Sequence, residues 1–191
     1  ITLHAELEDG TIVTGESKIP VYGRKIRRVY LTPEEVRTLP ETVEAIRQAD
    51  LIVFGPGSLY TSILPTILVR EIRQAVLSAS VKKVYICNLT TQAGETLEYT
   101  ASEHVKALHD HAGEAFIDTI LLNTADFTSL LSHGKYEGPV RPVEHDLEAL
   151  QQLVPDIVQK DIAVMIDGYI RHQSEKVAAW LIDYMAETTK E

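Results

Sequence analysis

Residues 51–62, Leu-Ile-Val-Phe-Gly-Pro-Gly-Ser-Leu-Tyr-Thr-Ser, decide the fold, because an apolar strand runs directly into a glycine-rich turn that carries hydroxyl groups. Glycines allow backbone conformations and close approaches that a Cβ atom would forbid, so main-chain N–H groups can converge on an anion. Behind Pro65, apolar residues recur at helical spacing over 66–79, and a helix N-terminus is expected to face the turn. The candidate phosphate contacts of this turn are Gly55, Gly57, Ser58, Thr61 and Ser62.

Established phosphate and nucleophile motifs do not describe this turn. A P-loop needs a lysine after its glycines, and the dinucleotide fingerprint needs a third glycine; both are missing here. A nucleophile elbow centred on Ser58 would need glycines in place of Pro56 and Tyr60, which excludes a serine hydrolase of that kind. An ordinary tight turn, whose glycines serve geometry alone, remains the alternative interpretation.

Composition narrows the class of protein. With 191 residues, 45% of them hydrophobic, the chain is long enough for a single α/β domain over 1–191. The net charge of -10 repels nucleic acid, and no apolar run is long enough to insert into a membrane. We therefore expect a small anionic ligand, no nucleic-acid partner and no membrane insertion.

The single cysteine, Cys87, lies in an apolar run. It excludes an internal disulfide and indicates a reducing compartment, so a cytoplasmic location is expected. No cationic residue flanks it closely, and we predict a small buried hydrophobe rather than a catalytic thiol.

Alternating strand and helix patterns predict an α/β fold with a parallel sheet and helices on both faces. An Asp9-Gly10 turn between 3–6 and 11–14 predicts an N-terminal β-hairpin, which extended segments 17–20 and 25–31 continue. Thr32 and Pro33 have the pattern of a helix start. The remaining predicted elements are helix 41–48, strand 83–88, helix 100–111, strand 117–122, helix 126–133, strand 140–144, helix 146–153, strand 161–166 and a final helix capped by Ser174.

The final helix has one apolar face, which is typical of a core contact or a contact between subunits. We expect a homo-oligomer. The residues of this face are Val177, Trp180, Leu181, Tyr184 and Met185.

Polar loops follow three of the predicted strands, beginning near Gly55, Asn88 and Asn123. In a parallel sheet the carboxyl ends of the strands meet at one edge, where ligands bind. These loops offer amides and hydroxyls with few charges, which suit a phosphate, a ribose or a sugar. For 88–96, a solvated capping loop is the alternative. The candidate ligand contacts that these loops add are Asn88, Thr91, Gln92 and Asn123.

The histidines of helix 100–111 lack the spacing of a metal site. His104 and His111 are two turns apart, and His109 and His111 point in different directions, whereas helical metal pairs use residues three or four apart. We expect no metal site there.

Two residues outside these loops are further candidates. Arg171 follows a predicted strand, and its planar guanidinium could clamp a diphosphate; a surface or structural ion pair is the alternative. Tyr136 could stack on a base or sugar, and a loop tyrosine without a role is the alternative. We assign no catalytic residue.

Several longer motifs together resemble one known family, the YvcK branch of the CofD-like family, the bacterial gluconeogenesis factors. The similarity runs over nearly the whole chain and is densest between 50 and 123. The motifs are Asp9-Gly10-Thr11-Ile12-Val13, Gly15-Glu16-Ser17-Lys18-Ile19-Pro20, the turn 55–62, Cys87-Asn88, Thr91-Gln92-Ala93-Gly94-Glu95-Thr96, Tyr99-Thr100-Ala101-Ser102, His104-Val105-Lys106-Ala107-Leu108 and Tyr169-Ile170-Arg171-His172.

The resemblance implies a cytoplasmic, Rossmann-like protein that binds nucleotide sugars such as UDP-glucose and UDP-N-acetylglucosamine. It also implies a need for the protein in cell morphogenesis on gluconeogenic carbon sources. By that likeness Tyr136 and Arg171 are the leading contacts, and the turn 55–62 lies at the phosphates. No cofactor is firmly implied; a nucleotide sugar or dinucleotide is the expected ligand. The family's first strand and its glycine-rich turn have no counterpart before Ile1, so we expect a domain that is incomplete at its N-terminus.

The related CofD branch implies a different class of function. Its members transfer a phospholactate group from a nucleotide diphosphate to a deazaflavin alcohol. Such chemistry needs a metal-neutralised diphosphate, and the sequence shows no carboxylate pair convincingly placed for the metal. We therefore prefer a binding and regulatory role. A transferase or hydrolase activity is the alternative, and a scaffold that acts through the apolar face of the last helix is the third candidate.

Overall fold

An antiparallel sheet begins the structure, which is a computed structural model describing residues 1–126, 131, 135 and 139–188. Strands β1 (Thr2–Leu7), β2 (Ile12–Thr14) and β3 (Ile26–Thr32) pair in the order β2-β1-β3. Between β1 and β2 the chain turns close to the predicted place, but Glu8 and Asp9 form the centre of the turn, because the N–H of Gly10 donates to the carbonyl of Leu7 at 3.0 Å. The predicted hairpin and the strand at 25–31 are confirmed.

Two predictions near this sheet are wrong. Residues 17–20 are not extended, because the chain forms 3-10 turns over Glu16–Lys18 and Pro20–Tyr22 that bury Ile19 between them. No helix starts at Thr32 either, because that residue pairs with Thr2 and is held in β3. The first helix of the described chain, α1, instead spans Pro40–Arg47 and confirms the helix predicted at 41–48.

A parallel sheet forms the centre of the fold. Its strands β4 (Ile52–Phe54), β5 (Lys83–Ile86), β6 (Thr119–Asn123) and β7 (Asp156–Lys160) lie side by side in sequence order. The first three were predicted, with small shifts at their ends. The prediction missed β7, because a strand at the edge of the sheet does not need a continuous apolar run.

The helical region between β4 and β5 is divided, whereas the sequence predicts one helix over 66–79. A π-helical turn at Leu59–Ile63 leads into α2 (Leu64–Leu68), the chain is extended at Val69, and α3 (Arg70–Ser78) follows. The break lets α3 pack against α1 while α2 packs against β3 and against α4 (Ala101–Ala112).

Helix α4 begins where the sequence predicts. The hydroxyl of Thr100 accepts a hydrogen bond from the N–H of Glu103 at 3.3 Å, and the Glu103 carboxylate accepts one from the N–H of Thr100 at 2.8 Å. This reciprocal pair is a capping box, which fixes the start of a helix by satisfying two of its free N–H groups.

The C-terminal part of the chain differs more from the prediction. Helix α5 (Leu147–Leu150) is shorter than predicted, β8 (Ala163–Ile166) and β9 (Tyr169–His172) form a hairpin, and α6 (Ser174–Thr188) begins at the predicted residue. The strand predicted at 140–144 is wrong, because only isolated bridges occur there. The helix predicted at 126–133 lies mostly outside the described residues.

Helices cover both faces of the parallel sheet, as predicted. On one face Tyr85 packs in the larger core together with Leu108 of α4. On the other face Ile86 and Leu121 pack against Val177 of α6. Both faces are therefore closed, and the carboxyl edge of the sheet is left for a ligand. Within the described residues, none of the helices combines the length and apolar character needed to cross a membrane.

Candidate functional site

The glycine turn after β4 is shaped by one glycine more than by the other. Gly55 has a φ of +86°, and a Cβ atom there would lie 2.9 Å from the carbonyl oxygen of Ile86. Gly57 has no such restriction, because its Cβ would make ordinary contact with Ser62. Gly55 is therefore needed for β4 to leave the sheet close to β5, whereas a small side chain would fit at position 57.

The loop after β5 contacts this turn directly. The side-chain amide of Gln92 donates to the hydroxyl of Ser58 at 2.9 Å, and the amide of Asn88 lies 3.5 Å from the amide oxygen of Gln92. Two segments that are about 30 residues apart in sequence are thus joined through polar side chains at the edge of the sheet. The predicted meeting of these two loops is confirmed.

A cleft of about 650 Å³ lies between this edge and the β8–β9 hairpin. The hairpin contributes apolar residues, Ile166 and Ile170, and the guanidinium of Arg171, which lies 5.4 Å from the centre of the Tyr169 ring. Arg171 is exposed and forms no ion pair with a described residue. The predicted site residues that line this cleft are Gly57, Ser58, Ser62, Asn88, Gln92 and Arg171.

Other predicted site residues lie elsewhere. The Thr61 hydroxyl donates to Glu95 at 2.7 Å, away from the cleft. Thr91 is buried, and its hydroxyl accepts the N–H of Arg141 at 3.1 Å. The amide oxygen of Asn123 accepts the N–H of Ile162 at 3.1 Å. These three side chains hold loops together and do not line the cleft.

Gly55 and Tyr136 are the two remaining predicted residues. Gly55 lies behind the turn and acts through the backbone geometry described above. Tyr136 lies outside the described residues, so its predicted contact with a base or sugar stays a prediction.

The prediction missed Glu95, which supports the turn from behind. Its side chain is only 5% exposed, and its carboxylate accepts the N–H of Tyr60 at 3.1 Å and the hydroxyl of Thr61. Burial raises the pKa of this carboxyl above its ordinary value, and these hydrogen bonds oppose the shift. The available signal was an acidic residue in an otherwise neutral loop.

The neighbouring Gly94 fastens this loop to the N-terminal part of the chain. Its φ is +81°, and a Cβ atom would lie 1.8 Å from the carbonyl oxygen of Pro20. The second 3-10 turn is therefore packed directly against the loop after β5.

The prediction also missed three polar residues that line the cleft, namely Thr90, His172 and Ser174. The Nε2 atom of His172 lies 3.0 Å from the carbonyl oxygen of Cys87. Burial lowers the pKa of His172, and this hydrogen bond opposes the shift. The motif that contains Arg171 already included His172, but a single histidine carries no sequence signal for its partner.

The histidines of α4 have structural roles. His111 Nε2 accepts the N–H of Val29 at 3.0 Å, and His104 Nδ1 lies 2.8 Å from the carbonyl of Thr100. Burial lowers the pKa of both. Within the described part of the chain, no group of three metal-binding side chains comes together. Burial also raises the pKa of Cys87 to about 12, which keeps this thiol protonated and unreactive.

Comparison with known proteins places the chain in a family. The family model described as 2-phospho-L-lactate transferase CofD matches residues 1–163. A gluconeogenesis factor of Bacillus subtilis is 52% identical over 188 residues, which are 98% of this chain and 59% of that protein. A gluconeogenesis factor of Listeria monocytogenes is 43% identical over the whole of this chain and 58% of its own length.

A solved structure supports the same relationship. A crystal structure of a Bacillus halodurans protein has a TM-score of 0.90 and 44% identity, and it covers 95% of this chain and 58% of that one. The chain thus spans somewhat more than half the length of the relatives that it matches. The chain belongs to the CofD family, and it resembles the members of that family that are named gluconeogenesis factors.

Proposed function

We propose that the cleft binds a nucleotide sugar, such as UDP-glucose or UDP-N-acetylglucosamine, through its diphosphate, and that the protein acts as a regulatory binder of this ligand. One observation carries the proposal. The sequence contains 28 acidic residues, yet among the described residues no carboxylate side chain lines the cleft, whereas the Arg171 guanidinium does. An acidic protein that keeps one cleft free of negative charge is suited to hold a small anion there.

The cleft offers different groups to the two parts of such a ligand. The planar guanidinium of Arg171 matches phosphate oxygens two at a time. The hydroxyls of Ser58 and Ser62 and the amides of Asn88 and Gln92 can both donate and accept hydrogen bonds, as sugar hydroxyls require. The phosphates would lie against the glycine turn and Arg171, and the neutral polar groups would contact the sugar.

The names of the relatives support a regulatory role over an enzymatic one. Those with 52% and 43% identity are called gluconeogenesis factors, a name that describes a requirement of the cell and no reaction. The carboxylate of Glu95 is directed at the backbone behind the turn, and the described residues that line the cleft include no carboxylate.

Calorimetric titration of the full-length protein with UDP-N-acetylglucosamine tests the proposal. The ligand is then recovered and separated by chromatography. Binding with intact ligand is the expected result. If the full-length protein does not bind UDP-N-acetylglucosamine or UDP-glucose, the proposed function is wrong.

A transferase is the second candidate, because the family model that matches the chain is described as a 2-phospho-L-lactate transferase. The recovered ligand and one added assay separate the two functions. In that assay the full-length protein is incubated with a lactyl nucleoside diphosphate, a deazaflavin alcohol and a divalent cation. Transfer of the phospholactate group to the alcohol with release of the nucleoside monophosphate, or cleavage of the diphosphate of the nucleotide sugar, would support the transferase and contradict the role as a binder.

A further inference from the structure

His172 has one nitrogen occupied and one available at the cleft. The residue follows Arg171 in β9, and its Nε2 atom is paired with the carbonyl oxygen of Cys87 at 3.0 Å. A carbonyl oxygen can only accept, so Nε2 carries the proton. The pKa of His172 is lowered by burial, so the ring is neutral at pH 7. The Nδ1 atom of a neutral ring protonated on Nε2 has a free lone pair and is a hydrogen-bond acceptor.

His172 is only partly buried, and it is one of the residues that line the cleft. Its Nδ1 atom makes no hydrogen bond to a described residue. A ligand in the cleft can therefore approach this side of the ring.

An uncharged acceptor such as Nδ1 suits a cleft that binds an anion. Arg171 only donates hydrogen bonds, and the described lining contains no carboxylate. A carboxylate would accept strongly but would also repel a diphosphate. A neutral imidazole nitrogen accepts a hydrogen bond without adding negative charge, so it can recognise a donor group of an anionic ligand.

We propose that Nδ1 of His172 accepts a hydrogen bond from a hydroxyl or N–H group of the bound nucleotide sugar, and that this contact helps to select the ligand. The inference rests on the proposed function of the cleft. A site that pairs a ligand donor with a fixed acceptor discriminates against analogues that lack the donor, because the acceptor is then left unpaired.

Two substitutions separate the two ring nitrogens. In His172→Gln the amide N–H can still reach the Cys87 carbonyl, but the acceptor at the position of Nδ1 is lost. In His172→Asn the shorter side chain places its oxygen near the position of Nδ1 and loses the contact with Cys87. By calorimetry of the full-length protein, we expect His172→Gln to bind UDP-glucose about fivefold more weakly and His172→Asn to keep most of the affinity.

Titration with UDP identifies the source of the donor. If His172→Gln weakens the binding of UDP-glucose and leaves the binding of UDP unchanged, the donor is a sugar hydroxyl. If the binding of both ligands weakens equally, the donor belongs to the nucleoside. Unchanged affinity for both ligands in the folded variant overturns the role of His172 and leaves the proposed function standing. If the wild-type protein binds neither ligand, both proposals are wrong.

Nitrogen-15 NMR of the wild-type ring provides a second test that needs no variant. Addition of UDP-glucose is expected to shift the Nδ1 resonance of His172, while the Nε2 resonance, already paired with Cys87, changes little. An unchanged Nδ1 resonance at saturating UDP-glucose overturns the proposal.

Discussion

The two sides of the glycine turn have the same polar groups and opposite charge. Ser58 and Gln92 line the cleft beside Arg171, and they also line a second cleft of about 540 Å³ on the other side of the turn. The second cleft contains the carboxylates of Glu16 and Glu95 and no basic residue among its described lining. Hydroxyls and amides therefore cannot determine which side would bind a phosphate. We expect the sign of the surrounding charge to determine it.

The largest effect of the predicted substitutions is expected from Gly94→Ala. Gly94 adjoins the side of the turn that contains Glu16 and Glu95, which we call the acidic side; the side that contains Arg171 is the ligand side. A Cβ atom there would meet the backbone carbonyl of Pro20, which no side-chain rotation can relieve, and the φ of +81° adds strain. We expect a loss of about 3 kcal/mol in the free energy of unfolding, measured by urea denaturation.

Gly113→Ala is the matched control for this substitution. Gly113 has a similar φ of +92°, but a Cβ atom added there would have no other atom within 4 Å. The free energy of unfolding of Gly113→Ala should fall by only about 1 kcal/mol. Equal losses for the two variants would show that the contact between Pro20 and Gly94 contributes nothing to stability.

On the ligand side, Arg171→Ala should weaken binding of UDP-N-acetylglucosamine by about 1.5 to 3 kcal/mol, because hydrogen bonds to charged groups contribute about that much. Arg171→Lys keeps the charge without the planar fork, and its affinity should fall between those of the wild type and Arg171→Ala. The exposed Arg47 provides a control, since it lies in α1 and does not line the cleft. Arg47→Ala should therefore leave the calorimetric affinity unchanged. Undiminished binding by a folded Arg171→Ala protein would remove the arginine from the site.

A third prediction makes the ligand side resemble the acidic side. Asn88→Asp introduces a carboxylate of almost the same shape into the cleft that contains Arg171. We expect binding of the nucleotide sugar to weaken by about 1 kcal/mol through charge repulsion, and the loss to shrink as salt is added. A loss that does not respond to salt would indicate a missing hydrogen bond instead of charge.

The smallest effect on affinity is expected from Glu95→Gln, which removes negative charge on the acidic side. Affinity for the nucleotide sugar should change less than about twofold, because Gln keeps an acceptor for the turn. A large change in affinity would show that the two sides are electrostatically coupled.

Stability should respond to pH through the same residue. Burial raises the pKa of Glu95 in the folded protein, so the folded state binds more protons than the unfolded state between the ordinary value of 4.5 and the raised value. The contribution of Glu95 to stability therefore declines as pH rises through this window. In urea denaturation, the free energy of unfolding of Glu95→Gln should rise relative to that of the wild type as the pH increases across this range. The same pH dependence in both proteins would contradict the raised pKa of Glu95.

Local patterns predicted those elements whose residues determine their own structure. The apolar run before Gly55, the N-terminal hairpin and the helix that begins at Thr100 depend on near neighbours, and these elements were predicted correctly. The capping box that fixes the start of this helix was not predicted. The strand β7 and the break at Val69 depend on packing with distant elements, so the sequence pattern missed both.

In the candidate site, too, features set by neighbouring elements were predicted, and features set by distant contacts were missed. Loops that follow adjacent parallel strands must meet at one edge, and this brought Ser58 and Asn88 into the predicted cleft. The orientation of a side chain within a loop depends on remote partners. Thr91 is paired with Arg141 and Asn123 with Ile162, and no local pattern reveals such partners.

The hydrogen bond between Gln92 and Ser58 lies in the wall that separates the two clefts. The Ser58 oxygen accepts from the Gln92 amide, and the same hydroxyl can donate its hydrogen to a ligand phosphate at the same time. A phosphate, Ser58 and Gln92 would then form one chain of hydrogen bonds across the wall, so occupancy of one cleft would alter the surface of the other. In such an arrangement, a second protein bound at the cleft of Glu16 and Glu95 would respond to a metabolite bound in the other cleft. No chemical change in the metabolite would be needed.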